Sequence, residues 1–199
     1  AVGVTCATDA ANGDVPYVSP SNENLQCTGA VLADKTEVPL ILESANYLNG
    51  QGIVTALNFI GGWKLWGNRT SVYPGETDPK DSFIPLRRMF NWINNTLVTT
   101  YWQKIDDPLN RVLVDTVVNS ANIWLNGLTS ANQLLGGRIE FREQDNPLTE
   151  LIDGIMKFHV VIAPPGPARE IDFIQEYDTS YLSVLFSDAA LGGGLNVTT

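Results

Sequence analysis

The sequence predicts an α/β fold in which a mixed β-sheet is covered by helices, two of them long and consecutive. The first observation is an apolar stripe at helical spacing that begins at Leu86 and runs to Tyr101. A second stripe of the same kind runs from Leu113 to Leu128. Beyond these stripes apolar residues alternate with polar ones, as they do in strands. Because helical and strand patterns share one chain of 199 residues, we expect layers packed in a single domain, residues 1–199.

The first part of the chain predicts irregular structure followed by one helix and one strand. Residues 1–35 are rich in Asn, Asp, Thr, Gly and Pro, which predicts a loop-rich start with a short strand. We expect Pro39 to open a short helix that is ended by Asn49 and Gly50. Residues 53–60 are apolar and partly β-branched, which indicates a buried strand before the break at Gly61.

The two long helices are predicted from positions that recur at three- and four-residue steps. Asp106, Asp107 and Pro108 separate them, and we expect Asp107 to cap the second helix with Pro108 in its first position. The first stripe consists of Leu86, Met89, Phe90, Ile93, Leu97 and Tyr101. The second consists of Leu113, Val114, Val117, Ala121, Trp124, Leu125 and Leu128.

The remainder of the chain predicts strands. The segments with strand character are the alternation at Ile139 and Phe141, the apolar run 155–163, and the alternation at Ile171 and Phe173. A short helix is expected at Asn146 and Pro147, and the proline-rich residues 164–167 form a rigid connection. Residues 181–186 could form one more strand, and the glycine-rich residues 187–199 predict a flexible tail.

Composition excludes several classes of function. The chain has 12 basic and 22 acidic residues, a net charge of −10, which argues against a nucleic-acid partner because phosphate binding needs clustered Lys and Arg. No apolar run approaches the roughly 20 residues that cross a bilayer, so we expect no membrane insertion. Cys6 and Cys27 are either two thiols or one bridge. The chain begins at Ala1 without an initiating Met, so we expect a fragment or a processed product.

No pattern of residues predicts catalysis, a cofactor or a metal site. His159 is the single histidine, so a metal site or a Ser-His-Asp arrangement would have to use it, and no second histidine exists to complete a set of metal ligands. Asp106 and Asp107 are neighbours in sequence and point apart, unlike the paired carboxylates of a glycosidase. The glycine pairs lack the Lys-Ser or Lys-Thr of a phosphate-binding loop. We therefore expect a protein that is not an enzyme.

The most informative stretch is an octamer behind the predicted strand, which combines two tryptophans, a glycine and an Asn-Arg-Thr turn: Trp63, Lys64, Leu65, Trp66, Gly67, Asn68, Arg69 and Thr70. A proline-glycine loop follows, and then Arg87 and Arg88 open the first long helix. Further elements in the same order are Gly13, Ser19-Pro20-Ser21-Asn22, Asn146-Pro147, Lys157-Phe158, Pro164-Pro165 and Glu170-Ile171-Asp172-Phe173. This order resembles the C-terminal half of the contractile tail sheath proteins of bacteriophages and phage-like bacteriocins, over roughly residues 9–186.

The resemblance implies a mechanical function. Copies of such a subunit polymerise as a helical sleeve around an inner tail tube and contract to drive the tube through a cell envelope. The partners it implies are other copies of the chain, the tube protein, and baseplate and tail terminator proteins. The location it implies is a virion tail or phage-like particle assembled in the host bacterial cytoplasm.

Residues near the end of the chain are the candidate contact between subunits. They follow a turn and form a short apolar segment: Tyr181, Leu182, Ser183, Val184, Leu185 and Phe186. Such a segment can add to the edge of a neighbour's sheet through backbone hydrogen bonds, or it can be the last strand of its own sheet. Trp63 and Trp66 are core residues or intersubunit contacts, and Arg69, Arg87 and Arg88 pair either across a subunit boundary or within the chain.

One alternative of a different class is an extracellular carbohydrate-binding or carbohydrate-active domain. It is motivated by five tryptophans, by the low content of basic residues and by three triplets that fit the glycosylation sequon. Binding of soluble glycans would distinguish this alternative from a sheath subunit.

Overall fold

A computed structural model describes residues 1–186, and its contacts divide the chain into two units, Ala1–Pro167 and Ala168–Thr199. The helices of the first unit are α1 (Val2–Ala11), α2 (Leu42–Gly50), α3 (Pro79–Ser82), α4 (Ile84–Tyr101), α5 (Arg111–Ser130) and α6 (Leu148–Ile152). Its strands are β1 (Thr55–Asn58), β2 (Trp63–Trp66), β3 (Gly136–Glu140) and β4 (His159–Ala163). Short 3₁₀ turns occur at Trp102–Lys104 and Glu143–Asp145. The predicted tail, residues 187–199, lies outside the described residues.

The strands form two separate antiparallel pairs within residues 1–186, so the prediction of one mixed sheet is wrong while the mixture of helices and strands is confirmed. β1 pairs with β2, and β3 pairs with β4 in a register that places Ile139 opposite Val160. The run 155–163 becomes a strand only at His159, because the side chain of Asn146 holds the backbone N–H and C=O of Lys157 at 2.7 and 2.9 Å. Residues 171–173 pair with no strand of the described chain, since alternation alone does not supply a partner edge.

Both apolar stripes lie on helices, α4 and α5, but the second helix begins later than predicted. Asn110 is its N-cap, and the side-chain oxygen accepts a hydrogen bond from the N–H of Leu113 at 2.9 Å. Asp107, the predicted cap, instead accepts a hydrogen bond from Lys104 Nζ at 3.1 Å. The 3₁₀ turn after Tyr101 and the left-handed φ of 68° at Asp106 delay the helical backbone by several residues.

The core lies between α4, α5 and the inner face of the β3–β4 sheet. Its buried residues are Val15, Met89, Ile93, Ala121, Leu125, Leu128, Leu134 and Ile139. Trp92 and Trp124 meet at its margin with ring centroids 5.6 Å apart. Because α5 packs along β3, this core fixes the sheet against the two long helices.

The N-terminal residues are helical where the sequence predicts loops. α1 contains Gly, Val and Thr, which are weak helix formers, so its stability comes from docking rather than from propensity. The docking contact is a bidentate ion pair between Asp9 and Arg88 of α4. A contact between residues 79 positions apart leaves no local trace in the sequence.

α2 also ends later than predicted, and its cap is a different glycine. Gly52 has a left-handed φ of 75°, and its N–H donates to Asn49 O at 3.1 Å while Ile53 N–H donates to Leu48 O at 3.0 Å. These two bonds are those of a Schellman motif, in which the glycine follows the C-cap residue. Gly50, the predicted stop, is still helical.

Within residues 1–186, none of the helices combines the length and apolar character that a membrane-spanning helix requires.

Candidate assembly surface

The tryptophan octamer forms the central strand of a small assembly of extended backbone. Residues 63–66 are β2, which pairs with β1 on one side. On the other side, Asn22 N–H donates to Leu65 O at 2.6 Å, and Leu65 N–H donates to Glu23 O at 2.9 Å. Ser21 Oγ also accepts a hydrogen bond from Gly67 N–H at 3.0 Å. The Pro-Ser-Asn element and the octamer, far apart in sequence, therefore form one structural unit.

The end of the octamer is fixed to the start of α4 through Arg69. Its guanidinium carbon lies 3.8 Å from the ring centroid of Phe83 and 4.3 Å from that of Tyr73, so the cation is held between two aromatic faces. Arg69 Nη1 also donates to Ser82 Oγ at 2.7 Å. Ser82 is fully buried, which places this contact under the turn that begins α4.

The sequence left open whether Arg69, Arg87 and Arg88 pair across a subunit boundary or within the chain. In the structure all three have partners within the chain. Arg69 is held by the contacts just described, Arg87 Nη1 donates to Asp81 Oδ1 at 2.9 Å, and Arg88 pairs with Asp9. Trp63 and Trp66 are partly buried on β2. The three arginines therefore organise the subunit itself, while partial burial leaves Trp63 and Trp66 open between core residues and intersubunit contacts.

Several charged groups of the structure form pairs at the surface. His159 Nδ1 lies 3.6 Å from Asp145 Oδ2, with both side chains partly exposed. Hydrogen bonds from Arg138 and then Arg142 hold the pKa of Glu140 below its ordinary value.

No group of three or more His, Cys, Asp or Glu that could hold a metal ion occurs among residues 1–186. Cys6 and Cys27 are free thiols and exposed, which settles the open alternative in favour of two thiols.

The β3–β4 sheet has two edges that differ in chemistry. On the β3 edge, Asn122 of α5 donates from its side-chain amide to Ile139 O at 3.0 Å and accepts from Ile139 N–H at 2.8 Å. Antiparallel strands alternate between residue pairs that bond to each other and pairs whose N–H and C=O point away. The N–H and C=O of Ile139 point away from β4, toward Asn122. The N–H and C=O of the opposite residue Val160 therefore point to the outer edge of β4. Because the pattern repeats every two residues, those of Ile162 do so as well.

An apolar groove adjoins the β3–β4 sheet, where Ile139 and its opposite residue Val160 both line it. The groove has a volume of about 770 Å³ and extends from the end of α4 across the start of α5 to the sheet. Its apolar lining includes Leu97 and Tyr101 of α4, Leu113 and Val117 of α5, and Val160 of β4. Val160 thus belongs both to the outer strand and to the groove wall. Charged residues Lys104, Asp106, Asp107 and Asp153 also line the groove.

The terminal segment predicted as an intersubunit strand is a 3₁₀ helix in this structure, Thr179–Phe186. The strand conformation predicted for Tyr181, Leu182, Ser183, Val184, Leu185 and Phe186 is therefore not adopted here. Neither is the alternative of a last strand, since residues 179–186 are a 3₁₀ helix. The side chains of Tyr181, Leu182, Val184 and Leu185 are between 47% and 74% exposed. Most apolar side chains of a final strand would be buried instead.

Two features of the surface were missed by reasoning from sequence. The groove depends on the approach of α4, α5 and β4, which no local pattern reports. Asn122 carried a weak signal, because a polar residue next to the buried Ala121 interrupts the side of α5 that packs toward the sheet. A half-buried polar side chain of this kind is expected to form a hydrogen bond, but the sequence does not identify the partner.

Comparison with known proteins identifies two tail sheath proteins among the relatives of this chain. The chain is 31% identical over 169 residues to the tail sheath protein of Burkholderia phage BcepMu, a match that covers 83% of this chain and 35% of that protein. It is 31% identical over 151 residues to the major tail sheath protein of Serratia phage KSP20, covering 75% of this chain and 36% of that protein. The chain thus spans about a third of the length of these relatives. No protein-family model matches it.

Solved structures share the fold. A chain in the cryo-EM structure of the PVC sheath complex, an extracellular contractile injection system in its contracted state, aligns with a TM-score of 0.73 at 21% identity, covering 90% of this chain and 50% of that one. A chain in the cryo-EM structure of the anti-feeding prophage baseplate aligns with a TM-score of 0.70 at 22% identity, covering 89% of this chain and 49% of that one. The resemblance read from the octamer and its neighbouring motifs is confirmed over most of the chain.

Proposed function

We propose that this chain, which resembles phage tail sheath proteins over most of its length, is the assembly-forming portion of a contractile tail sheath subunit. The observation that carries the proposal is the sequence relationship to two such proteins. In this proposal residues 1–199 act as one C-terminal assembly domain, and the function is structural rather than enzymatic. The comparisons do not support the carbohydrate-binding alternative, because the relatives named above are sheath proteins and contractile injection systems.

The proposed partners follow from a sleeve that surrounds a tube. Copies of the subunit stack head to tail into a helical filament, because such interfaces need not close into a ring. The inner tail tube protein occupies the lumen, and baseplate and tail terminator proteins contact the two ends. The location is a virion tail or a phage-like particle, assembled in the host bacterial cytoplasm. Many modest contacts allow such an assembly to pass from an extended to a contracted packing.

We further propose that residues 181–186 of one copy join a neighbouring copy at the outer edge of β4. That edge directs the N–H and C=O groups of Val160 and Ile162 away from β3, where an added strand can bond to them. A strand beside β4 also places every second side chain on the face of the sheet that adjoins the groove. The segment carries no charged residue, which suits the apolar part of the groove lining.

The conformation of residues 179–186 within the single chain is compatible with this role. A 3₁₀ helix has poor hydrogen-bond geometry, and runs longer than three or four residues are uncommon. Eight residues in this form therefore have little to lose when they become extended on a neighbour. The exposed apolar side chains gain burial in the same step.

Electron microscopy of the complete protein tests both parts of the proposal. We expect negative-stain images of the wild type at high concentration to show hollow helical sleeves of uniform width. A variant with Leu182→Asp and Val184→Asp should remain dispersed, because two carboxylates cannot be buried in the groove at low cost. Ser180→Asp adds charge just outside the apolar segment and should still form sleeves.

The outcomes separate the two parts. Dispersed or closed-ring wild-type particles would contradict the sheath function itself. Sleeves formed by the double variant would retain the sheath function and reject the role of residues 181–186. Thermal unfolding of all three proteins checks that the substitutions act on assembly, because exposed substitutions away from the core change stability little.

A further inference from the structure

We propose that Asn122 makes the β3–β4 sheet a one-sided acceptor by closing the edge of β3, so that a strand from a second copy is received at β4 alone. This inference rests on the proposed strand addition between subunits. It assigns to one side chain of α5 the choice between two edges that backbone chemistry alone leaves equivalent.

The contacts of Asn122 imitate a neighbouring strand. A strand beside β3 would accept a hydrogen bond from Ile139 N–H and donate one to Ile139 O. The side-chain amide of Asn122 makes both bonds, at 2.8 and 3.0 Å. Ile139 is only 3% exposed and its side chain belongs to the core, so the amide reaches the edge from the buried side. An incoming strand would have to displace these two bonds to pair at this residue.

The β4 edge lacks an equivalent side chain. Val160 and Ile162 direct their N–H and C=O outward, and no side chain of residues 1–186 forms a hydrogen bond to them. Val160 is 37% exposed and lines the groove. The groove is lined by Val160 and also by its opposite residue Ile139, so it adjoins the face of the sheet that carries this pair, while the open edge belongs to β4 and the closed edge to β3.

One-sided acceptance has a consequence for the shape of an assembly. A sheet with two open edges accepts two strands, or pairs edge to edge with another sheet, which branches a filament or aggregates it. Natural sheets block unwanted edges with side chains, bulges or covering elements. Asn122 occupies a half-buried position beside Ala121. The contribution of its polar side chain at this position is to close the edge of β3.

Counting bound strands on the two edges tests the assignment. The receptor is the whole chain carrying Leu182→Asp and Val184→Asp, so that its own segment does not compete. The probe is a synthetic peptide with the wild-type sequence of residues 176–186, and native mass spectrometry counts the peptides bound to each chain. Val160→Pro blocks the β4 edge, because proline has no N–H and is tolerated in an edge strand.

The expected counts form a cycle. The receptor binds one peptide, at β4, and the receptor with Val160→Pro binds none. The receptor with Asn122→Ala binds two peptides, one at each edge. The receptor with both Asn122→Ala and Val160→Pro binds one, at β3. Asn122→Leu, which keeps the number and branching of the side-chain heavy atoms but makes neither hydrogen bond, should behave as Asn122→Ala does and covers the case in which the alanine variant fails to fold. Asn126→Ala is the matched control, since Asn126 is exposed one turn further along α5, and its count should stay at one.

Two results would overturn the inference in different ways. If the Asn122 variants bind one peptide alone and none together with Val160→Pro, β3 is no acceptor and Asn122 has no role in choosing the edge, while strand addition at β4 stands. If the receptor itself binds no peptide, strand addition fails and the inference fails with it. Hydrogen exchange of the Ile139 amide gives a second readout, which should accelerate in Asn122→Leu and remain unchanged in Asn126→Ala.

Discussion

Replacing Gly52 by alanine should destabilise the first unit far more than the same change at Gly61. The two glycines have nearly equal left-handed φ angles, 75° and 78°, so an alanine at either site meets the same backbone strain, about 1–2 kcal/mol. A Cβ at Gly61 meets no atom within 4 Å. A Cβ at Gly52 would overlap the carbonyl oxygen of Tyr73 and lie 3.1 Å from that of Thr70.

The magnitude follows from this difference. Alanine also lowers the entropy of the unfolded chain, which offsets about 0.4–1 kcal/mol at both sites and cancels in the comparison. Overlap with backbone atoms forces the loop that carries Tyr73 to move, at a cost of about 1–3 kcal/mol. We expect a free energy of unfolding lowered by about 1 kcal/mol for Gly61→Ala and by about 2–4 kcal/mol for Gly52→Ala. The Schellman motif that ends α2 is the part of the structure that this change disrupts.

Urea unfolding followed by circular dichroism measures both values in the same buffer. For a unit of this size, a difference of 2 kcal/mol corresponds to a shift of roughly 4–8 °C in the melting temperature. Equal destabilisation of the two variants, within about 0.5 kcal/mol, would refute the packing of Gly52 against residues 70–73. A stabilised Gly52→Ala would refute the left-handed conformation as well.

Two further predictions concern charged groups. Arg88→Ala and Asp9→Asn should each destabilise the protein. A double-mutant cycle from thermal unfolding should give a coupling energy of about 1–2 kcal/mol, because the bidentate pair is only partly exposed. Additive effects of the two substitutions would mean that the ion pair does not anchor α1. The depressed pKa of Glu140 stabilises the folded state above the pKa of the unfolded chain, and this contribution is lost as pH falls through the folded pKa. The difference in melting temperature between the wild type and Glu140→Gln should therefore shrink as the pH falls below about 4.5, and a difference independent of pH would contradict the assigned hydrogen bonds.

Local periodicity determined the parts of the structure in which one face of an element is buried. The stripes that begin at Leu86 and Leu113 lie on α4 and α5, since the spacing of apolar residues reports directly which side of a helix meets a core. The same reasoning set the mixture of helices and strands, and the order of short motifs from Pro20 through the octamer to Arg88 predicted the resemblance that comparison confirmed.

Only the tertiary structure decided which edges pair and where elements begin and end. The β4 strand starts at His159 because Asn146 holds the backbone of Lys157, and Asp9 joins α1 to α4 through Arg88. The difference between the two edges of the β3–β4 sheet depends on Asn122, a residue 17 positions from its partner Ile139. Hydrogen bonds between distant residues leave no periodic trace, because a single polar side chain does not encode the identity of its partner. The sequence by itself therefore determined the two long helices, the mixture of helices and strands and the resemblance to tail sheath proteins, while long-range contacts determined the surface on which assembly is proposed to act.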